Sequence, residues 1–568
     1  MHHSQLITKI NPPTWLKILV VILLSLSIFL RFTNLGQKIY CGDENWTSVA
    51  ISGHTVAELQ QELFHHSDPI SINTFEKYQH ISSKRGVADT VNYLITSDPQ
   101  HPPLYYVMVR LWAQVFGDSP TGVRSLSAII SLLMFPGVYW LCLELFELPI
   151  VAWIGMGLIA VSPLQLYFAQ EARQYSLWMV EILISSAALL QAIKKENKNN
   201  WALYSLTLIL GLYTHLFTVL TIISHGLYII IQEKLRLSKI LINYLICTVV
   251  AFLIFLPWLI VFINHIGTAV ALTSGYGIKF TDNPFELIGI FLIRVTRIFF
   301  DLNFAVSESL FSHFNQEGPL YYSLTAIIFS VCLITYLLFK FCKNFHNKSY
   351  LFVFLLGGIP SLLFMICDLT FGGFRSIQVR YQLPLYLCLE ITVAYFFGVL
   401  WLQQNWQNKI SQFIMVLFLF SGLFSDVKFF QSQSWWTQLS STFLMETIHA
   451  INESERPLLV INNAPVNLGG ILALSHYSPK LPLLPVADTE NSQIPEYYSQ
   501  ILFVQNNSNL FRELQQNKNY SIKVIKESKI GSSIIGGLWK FEQKPWMTLT
   551  PYKHDKRDKS NRVDKKYT

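Results

Sequence analysis

Long apolar runs separated by short polar breaks carry the chain from residue 15 to residue 428 and then stop. A helix that crosses a bilayer needs roughly 20 predominantly apolar residues. Candidate runs fall at 15–32, 121–143, 151–168, 173–193, 201–213, 215–231, 239–262, 319–341, 350–368, 383–402 and 410–428, of which 201–213 and 215–231 are short for two crossings. The pattern predicts an α-helical polytopic membrane protein with about 11–13 transmembrane helices. The first run reads as a retained span, because Arg31-Phe32-Thr33-Asn34 offers no small-residue cleavage site.

Two further apolar segments carry charge. Segment 103–116 is too short to span and holds Arg110, so it is expected to lie in the membrane interface. Segment 284–301 places Arg294 and Arg297 three apart among Ile, Leu and Phe, an amphipathic pattern that also predicts an interfacial helix, with a real span as the alternative.

Short basic loops stay cytoplasmic. Lys9 and Lys17, then Lys194, Lys195 and Lys198, then Lys234, Arg236 and Lys239, then Lys340, Lys343 and Lys348 mark one side. Alternating the runs through these markers places the N-terminus inside and gathers 33–120, 169–173, Tyr213-Thr214-His215 and 369–382 on the outer face. An odd number of spans puts everything after residue 428 outside as well.

After residue 428 the texture changes. Runs such as Pro457 to Ile461, Gln500 to Val504, Ile522 to Ile525 and Ile534 to Phe541 look like strands, and 467–476 and 509–516 look like helices. This predicts a small C-terminal α/β domain over 429–545, soluble and extracytoplasmic, followed by a basic disordered tail over 546–568. It contains no Gly-rich phosphate loop and no paired-His motif.

Composition agrees with the membrane class: 52% of residues are hydrophobic and 14% charged, against about 25% charged in soluble domains. The net charge of +7 comes largely from residues 553–568, where seven Lys/Arg face three Asp. Such a tail reads as solvated, and nothing in the charge distribution points to nucleic acid. Seven scattered cysteines without a C-x-x-C spacing exclude a disulfide framework and a thiolate metal site.

The polar residues that a membrane interior rejects concentrate in the outer segments. Asp43-Glu44 follows the first run by about ten residues, and Asp98 stands three before His101 at the start of His101-Pro-Pro-Leu-Tyr-Tyr106. Gln170-Glu171-Ala-Arg173-Gln-Tyr175 fills a very short turn, where Glu171 joins Asp43-Glu44 as an oxygen donor for a divalent cation or simply pairs with a neighbouring charge. His215 sits in a tight turn, and Arg380-Tyr381 follows Gly372-Gly373. The planar guanidinium of arginine suits a phosphate, and it equally suits a headgroup anchor. Carboxylates, imidazoles and a guanidinium on one membrane face are what a reaction on a lipid-linked phosphate requires.

The chain resembles the GT-C class of polyprenyl-phosphate-sugar-dependent glycosyltransferases, and within it the bacterial protein-mannosyltransferase-like and aminoarabinose-transferase-like enzymes of the family 39 type. The resemblance rests on Gly42-Asp43-Glu44, His101-Pro-Pro-Leu-Tyr-Tyr106, Phe116-Gly-Asp-Ser119 with Arg124, Ser162-Pro163, Gln170 to Ser176, Tyr213-Thr214-His215, and Arg380-Tyr381 with Pro384. It implies a GT-C transmembrane catalytic domain over 1–428 in the cell inner (plasma) membrane. It also implies inverting transfer of a hexosyl or pentosyl group from a polyprenyl-phosphate donor to a hydroxyl or amine acceptor of the envelope. By position, Asp43 would be the base or the carboxylate that orients the acceptor, with Glu44 beside it in the catalytic pair. His101, Glu171, Arg173, Tyr175, His215, Arg380 and Tyr381 would bind the donor, Arg380 at its phosphate. Glu44, His101 and Glu171 would be the ligands of a divalent metal ion.

The sequence departs from the oligosaccharyltransferases, whose Trp-Trp-Asp-Tyr-Gly signature is replaced by Trp435-Trp436-Thr437-Gln438. A transporter or flippase of lipid-linked sugars is the alternative, using the same arginines without a base. Internal repeats and helices broken at the midplane mark many transporters, and the sequence shows neither.

Overall fold

The computed structural model describes residues 11–544 except 67, 280, 282, 304–319, 344–347, 402–405, 438, 463–464, 487–493, 505–507 and 531–532. The expected basic tail lies outside the described residues.

Each apolar run forms a helix. In chain order these are Thr14–Phe32, Pro120–Phe146, the pair Pro149–Ala160 and Pro163–Ala169, Tyr175–Lys195, Lys198–Thr214, Thr218–Gln232, Lys239–Asn264, Leu320–Lys343, Lys348–Phe371, Leu383–Trp401 and Trp406–Gln431. Among the described residues seven helices are long and apolar enough to cross a membrane, or eight if the bent pair is one span. The chain is a multi-pass membrane protein. On Lys239–Asn264 the side chains of Ile242, Ile246, Val249, Leu253, Ile260 and Ile263 stay exposed along the outside of the bundle. Lipid tails are as apolar as they are, so this exposure costs nothing in a bilayer.

The bent pair aims the Glu171 turn that follows it. Ser162-Pro163 breaks the helix by 63°, since a proline nitrogen cannot donate to the preceding turn. The carbonyls freed by the break find side-chain donors: Ser27 Oγ reaches Ala160 O at 2.6 Å and Arg31 Nη2 reaches Ile159 O at 3.5 Å. Gly422 leaves the space for Val161 O, which a Cβ would approach to 2.3 Å.

The two ends of the bundle differ as the charge pattern anticipates. Lys194 pairs with Glu147, and Ser349 Oγ donates to Leu145 O, so the basic turns share one end. The segments around residues 43, 101, 173 and 380 meet at the other.

Helix Leu104–Phe116 buries Tyr105, Tyr106, Val109 and Arg110 and exposes Leu111, Val115 and Phe116. Arg110 does not face headgroups: it donates to the carbonyls of Ile51, Ser82 and Arg85. On helix Pro284–Thr296 the arginines likewise face protein. Arg294 and Arg297 turn inward, with guanidinium carbons 5.4 and 4.1 Å from the Trp436 ring centre.

The C-terminal region is α/β as expected. Strands Pro457–Asn462, Pro482–Val486, Gln500–Phe503, Tyr520–Ile530 and Ser533–Gln543 join Ile70–Ser71 in one six-stranded sheet. Pro457–Asn462 runs parallel to both neighbours, and Ile70–Ser71 adds an antiparallel edge at Leu483 and Pro482. Two residues of the long loop thus tie this region to the site-bearing end of the bundle.

Candidate active site

Gly42 holds φ 61° and ψ −124°, a conformation open to glycine, and launches helix Asp43–Ser52. The turn places Asp43 and Glu44 at the helix N-terminus, where the dipole favours carboxylates. The two acids then part company.

Glu44 is fully buried and committed. Arg124 grips it twice, Nε to Oε1 at 2.8 Å and Nη2 to Oε2 at 2.6 Å, and the Ala172 N–H donates to Oε1 at 2.8 Å. The rest of the Arg124 guanidinium caps the carbonyls of Leu35, Lys38 and Ile39. The pair fastens three elements: the loop before Asp43, helix Pro120–Ser131 and the Glu171 turn.

Asp43 keeps 34% of its side chain exposed and pairs with Arg380. Arg380 is held between two tyrosines, its Nη1 donating to Tyr175 at 3.1 Å and its Nη2 to Tyr276 at 3.2 Å. Gly373 makes this possible, since a Cβ there would lie 2.7 Å from Tyr276 O. Tyr381 forms the wall behind, stacked on Phe364 and edge-on to Phe217 and Tyr276.

A second cation stands on the other side of Asp43. Arg173 Nη1 donates to Asp43 O at 3.3 Å and to Thr47 at 3.4 Å, and its Nη2 donates to His101 Nε2 at 3.0 Å. His101 Nδ1 in turn donates to Asp98 at 2.7 Å. His215 stacks on Trp178 at 4.1 Å, and its Nδ1 accepts the Phe217 N–H at 3.1 Å.

The electrostatics follow from this geometry. Burial pushes the Asp43 carboxyl up, but Arg380, Arg173 and His101 outweigh it and hold the group well below the usual carboxylate range. Burial, with Glu44 and Asp43 adding to it, raises Glu171 to about 8. His215 is pushed down by burial and then by His101, Arg173 and Arg380, so it stays neutral.

Of the expected residues, the structure brings together Asp43, His101, Arg173, Tyr175 and Arg380 by direct contact, with Tyr381 and His215 in the adjoining wall. Glu171 lies apart, in a small cavity with Lys38, Arg124, Tyr167 and Trp435. Its Oε1 accepts from Tyr167 at 3.1 Å, and its buried Oε2 has no partner. The expected metal ligands are not assembled: among the described residues no group of three or more His, Cys, Asp or Glu is placed to hold a metal ion. Glu44 and His101 have already spent their donor atoms on arginines and Asp98. Tyr276 and Thr47 were not foreseen, and no motif in the sequence marks them.

Glu171 gives a measurable pH signature. Its ordinary value is 4.5 and its folded value about 8, so the folded state holds a proton that the unfolded state has lost. Stability therefore falls as pH rises between these values. Glu171→Gln should remove this loss, so thermal unfolding in detergent should show the variant gaining on the parent from pH 5 to pH 8. Parallel pH profiles would refute the buried protonated carboxyl.

Residues 100–261 match the family model of dolichyl-phosphate-mannose-protein mannosyltransferases. The matched stretch holds His101, Glu171, Arg173, Tyr175 and His215, and it bears out the resemblance read from the motifs. No curated protein matches the chain. Among solved structures, the apo oligosaccharyltransferase of Archaeoglobus fulgidus aligns with a TM-score of 0.49 and 13% identity, over 92% of this chain and 76% of that one. ArnT from Cupriavidus metallidurans bound to undecaprenyl phosphate aligns with a TM-score of 0.47 and 10% identity, over 92% of this chain and 97% of its own.

Proposed function

We propose that the chain is a membrane glycosyltransferase that moves a sugar from a polyprenyl-phosphate donor to an envelope acceptor, with inversion, on the extracytoplasmic side. One observation carries the reading: a half-exposed carboxylate, Asp43, paired with an arginine, Arg380, that two tyrosine hydroxyls hold in place. A base for the acceptor proton and a cation for the departing phosphate are thereby adjacent.

Without donor, Arg380 keeps Asp43 ionised and a weak base. A donor phosphate competes for the guanidinium, whose planar fork fits two phosphate oxygens. Once Arg380 serves the phosphate, the Asp43 carboxylate loses its strongest counter-charge and becomes more basic when the acceptor arrives. The acceptor hydroxyl or amine then attacks the anomeric carbon and gives its proton to Asp43. The bond from that carbon to the phosphate oxygen breaks, and its electron pair leaves with the polyprenyl phosphate. A single displacement through an oxocarbenium-like state needs only these parts. Arg173, anchored by His101 and Asp98, fixes the Asp43 backbone, and Glu44 with Arg124 fixes the loop that presents it.

Arg380→Gln is expected to lower kcat/KM for the donor by about 10²–10³, the scale of losing one preorganised charge partner. Arg380→Lys should restore part of it, since charge returns without the fork. Steady-state transfer from a short-chain polyprenyl-phosphate sugar measures both. Unchanged donor kinetics in the glutamine variant would exclude Arg380 from the phosphate site.

A further inference from the structure

Asp43 follows a residue that has no side chain with which to hold the turn. Gly42, at φ 61° and ψ −124°, sets the direction of helix Asp43–Ser52, and a glycine backbone moves through that region freely. Whatever keeps the carboxylate aimed must act on the residues to either side. Arg124 reaches the carbonyls as far as Ile39 and then the Glu44 side chain. The Tyr40 N–H and the Asn45 amide are held from elsewhere.

Their partners lie on a single helix of the C-terminal region, Pro465–Tyr477. Before the turn, the Tyr40 N–H donates to the Tyr477 hydroxyl oxygen at 2.7 Å. After it, the fully buried Asn45 donates through Nδ2 to Gly469 O at 3.0 Å. The Trp46 indole closes on the same glycine, where an added Cβ would lie 3.7 Å from Nε1. Gly469 and Tyr477 stand at i and i+8, a spacing that returns to one side of a helix.

That helix has its own attachment to the long loop. Buried Gln79 donates through Nε2 to Leu472 O at 2.8 Å and to Ser475 Oγ at 3.0 Å. His476 Nε2 donates in return to Gln79 Oε1 at 2.9 Å. The helix is therefore fixed at a point 36 residues from Asp43 in the chain, and it serves the Gly42 turn as a reference.

We propose that helix Pro465–Tyr477 is a positioning element for the base: Tyr477 and Asn45 clamp the Gly42 turn from both sides and so hold the Asp43 carboxylate at the acceptor. Neither is a catalytic residue, since both act through Asp43. The proposal rests on the transferase reading of the preceding section and gives the C-terminal α/β region a part in that reaction.

The test is a double-mutant cycle on the full chain in nanodiscs, with a short-chain polyprenyl-phosphate sugar as donor and envelope extract as acceptor. Tyr477→Phe removes one oxygen and keeps the ring. It should lower single-turnover transfer about tenfold with the donor dissociation constant unchanged, and adding Asn45→Ala should bring the loss to about 10²-fold, the scale of a 1 Å misplacement. On the Asp43→Asn background, Tyr477→Phe should change the residual rate by less than about twofold, because the group it aims is gone. Equal losses on both backgrounds overturn the proposal, as do parental rates in both single variants or a loss confined to donor affinity. Should one variant not fold, the other closes the same cycle. Amide hydrogen exchange over residues 40–46 reads the clamp without any activity: both single variants should speed it, and unchanged exchange refutes the clamp. The two readings can thus fail separately. A parent without sugar transfer removes the transferase and leaves the clamp to amide exchange, whereas full transfer with both anchors removed takes away the positioning role alone.

Discussion

Asp43→Asn is expected to lower sugar transfer by about 10²–10⁴, the usual contribution of a positioned general base, while leaving membrane insertion and the helical bundle intact. The substitution keeps the shape and keeps an oxygen for Arg380, so little of the packing changes. What disappears is the ability to take the acceptor's proton. Donor affinity should hold or improve, because Arg380 no longer divides its charge between a carboxylate and the incoming phosphate. That combination separates a base from a mere ion-pair partner: kcat collapses while the donor's dissociation constant does not rise. Because Arg380, Arg173 and His101 keep the Asp43 carboxyl well below the usual range, kcat/KM of the parent should show no acidic limb from this group near pH 4. Single-turnover transfer with a radiolabelled donor, with pH profiles beside it, measures each part. An asparagine variant with full activity would sink the assignment.

The large features were legible because they follow from solvent. Runs of apolar residues dictated the helices, and basic turns sorted their ends, so the gathering of Asp43, His101, Arg173, Tyr175 and Arg380 at one end followed from topology before any contact was known. The directions of side chains were another matter. On segment 284–301 apolar residues meet lipid on one side and protein on the other, and both are equally apolar. The hydrophobic pattern therefore could not say that Arg294 and Arg297 face Trp436 rather than headgroups. Partner choice was hidden for a similar reason. Glu44 and Arg124 are 80 residues apart, and Asp43-Glu44 reads as one acidic pair although the helix start sends the two carboxylates to different partners. The short strands Ile70–Ser71 and Pro482–Val486 offer too few residues for an alternating pattern to emerge.

The division of labour between the two acids makes the stability prediction the sharper of the two. Arg124→Ala should destabilise the fold by about 3–5 kcal/mol, the cost of stranding one member of a buried ion pair. The loss is large because several groups are abandoned at once. The Glu44 carboxylate stays fully buried with only the Ala172 N–H, and the carbonyls of Leu35, Lys38 and Ile39 lose their donors. Glu44→Gln should cost less, since the amide oxygen can still accept from Arg124 or Ala172. The double variant Glu44→Ala/Arg124→Ala should fall short of the sum of its single variants, because the second substitution removes a charge that the first had stranded. Thermal unfolding of the four chains in one detergent closes the cycle. Glu44→Gln, measured beside them, tells positioning from catalysis. If Glu44 acts only by holding the loop that carries Asp43, the activity of Glu44→Gln should track its folded fraction and recover on cooling. A folded, stable Glu44→Gln chain without transfer would instead place Glu44 in the chemistry, and an Arg124→Ala chain as stable as the parent would deny the pair its structural role. The buried pair and the exposed acid beside it thus make opposite demands on the same helix start: one carboxylate must never lose its arginine, and the other must give its arginine up when the donor binds.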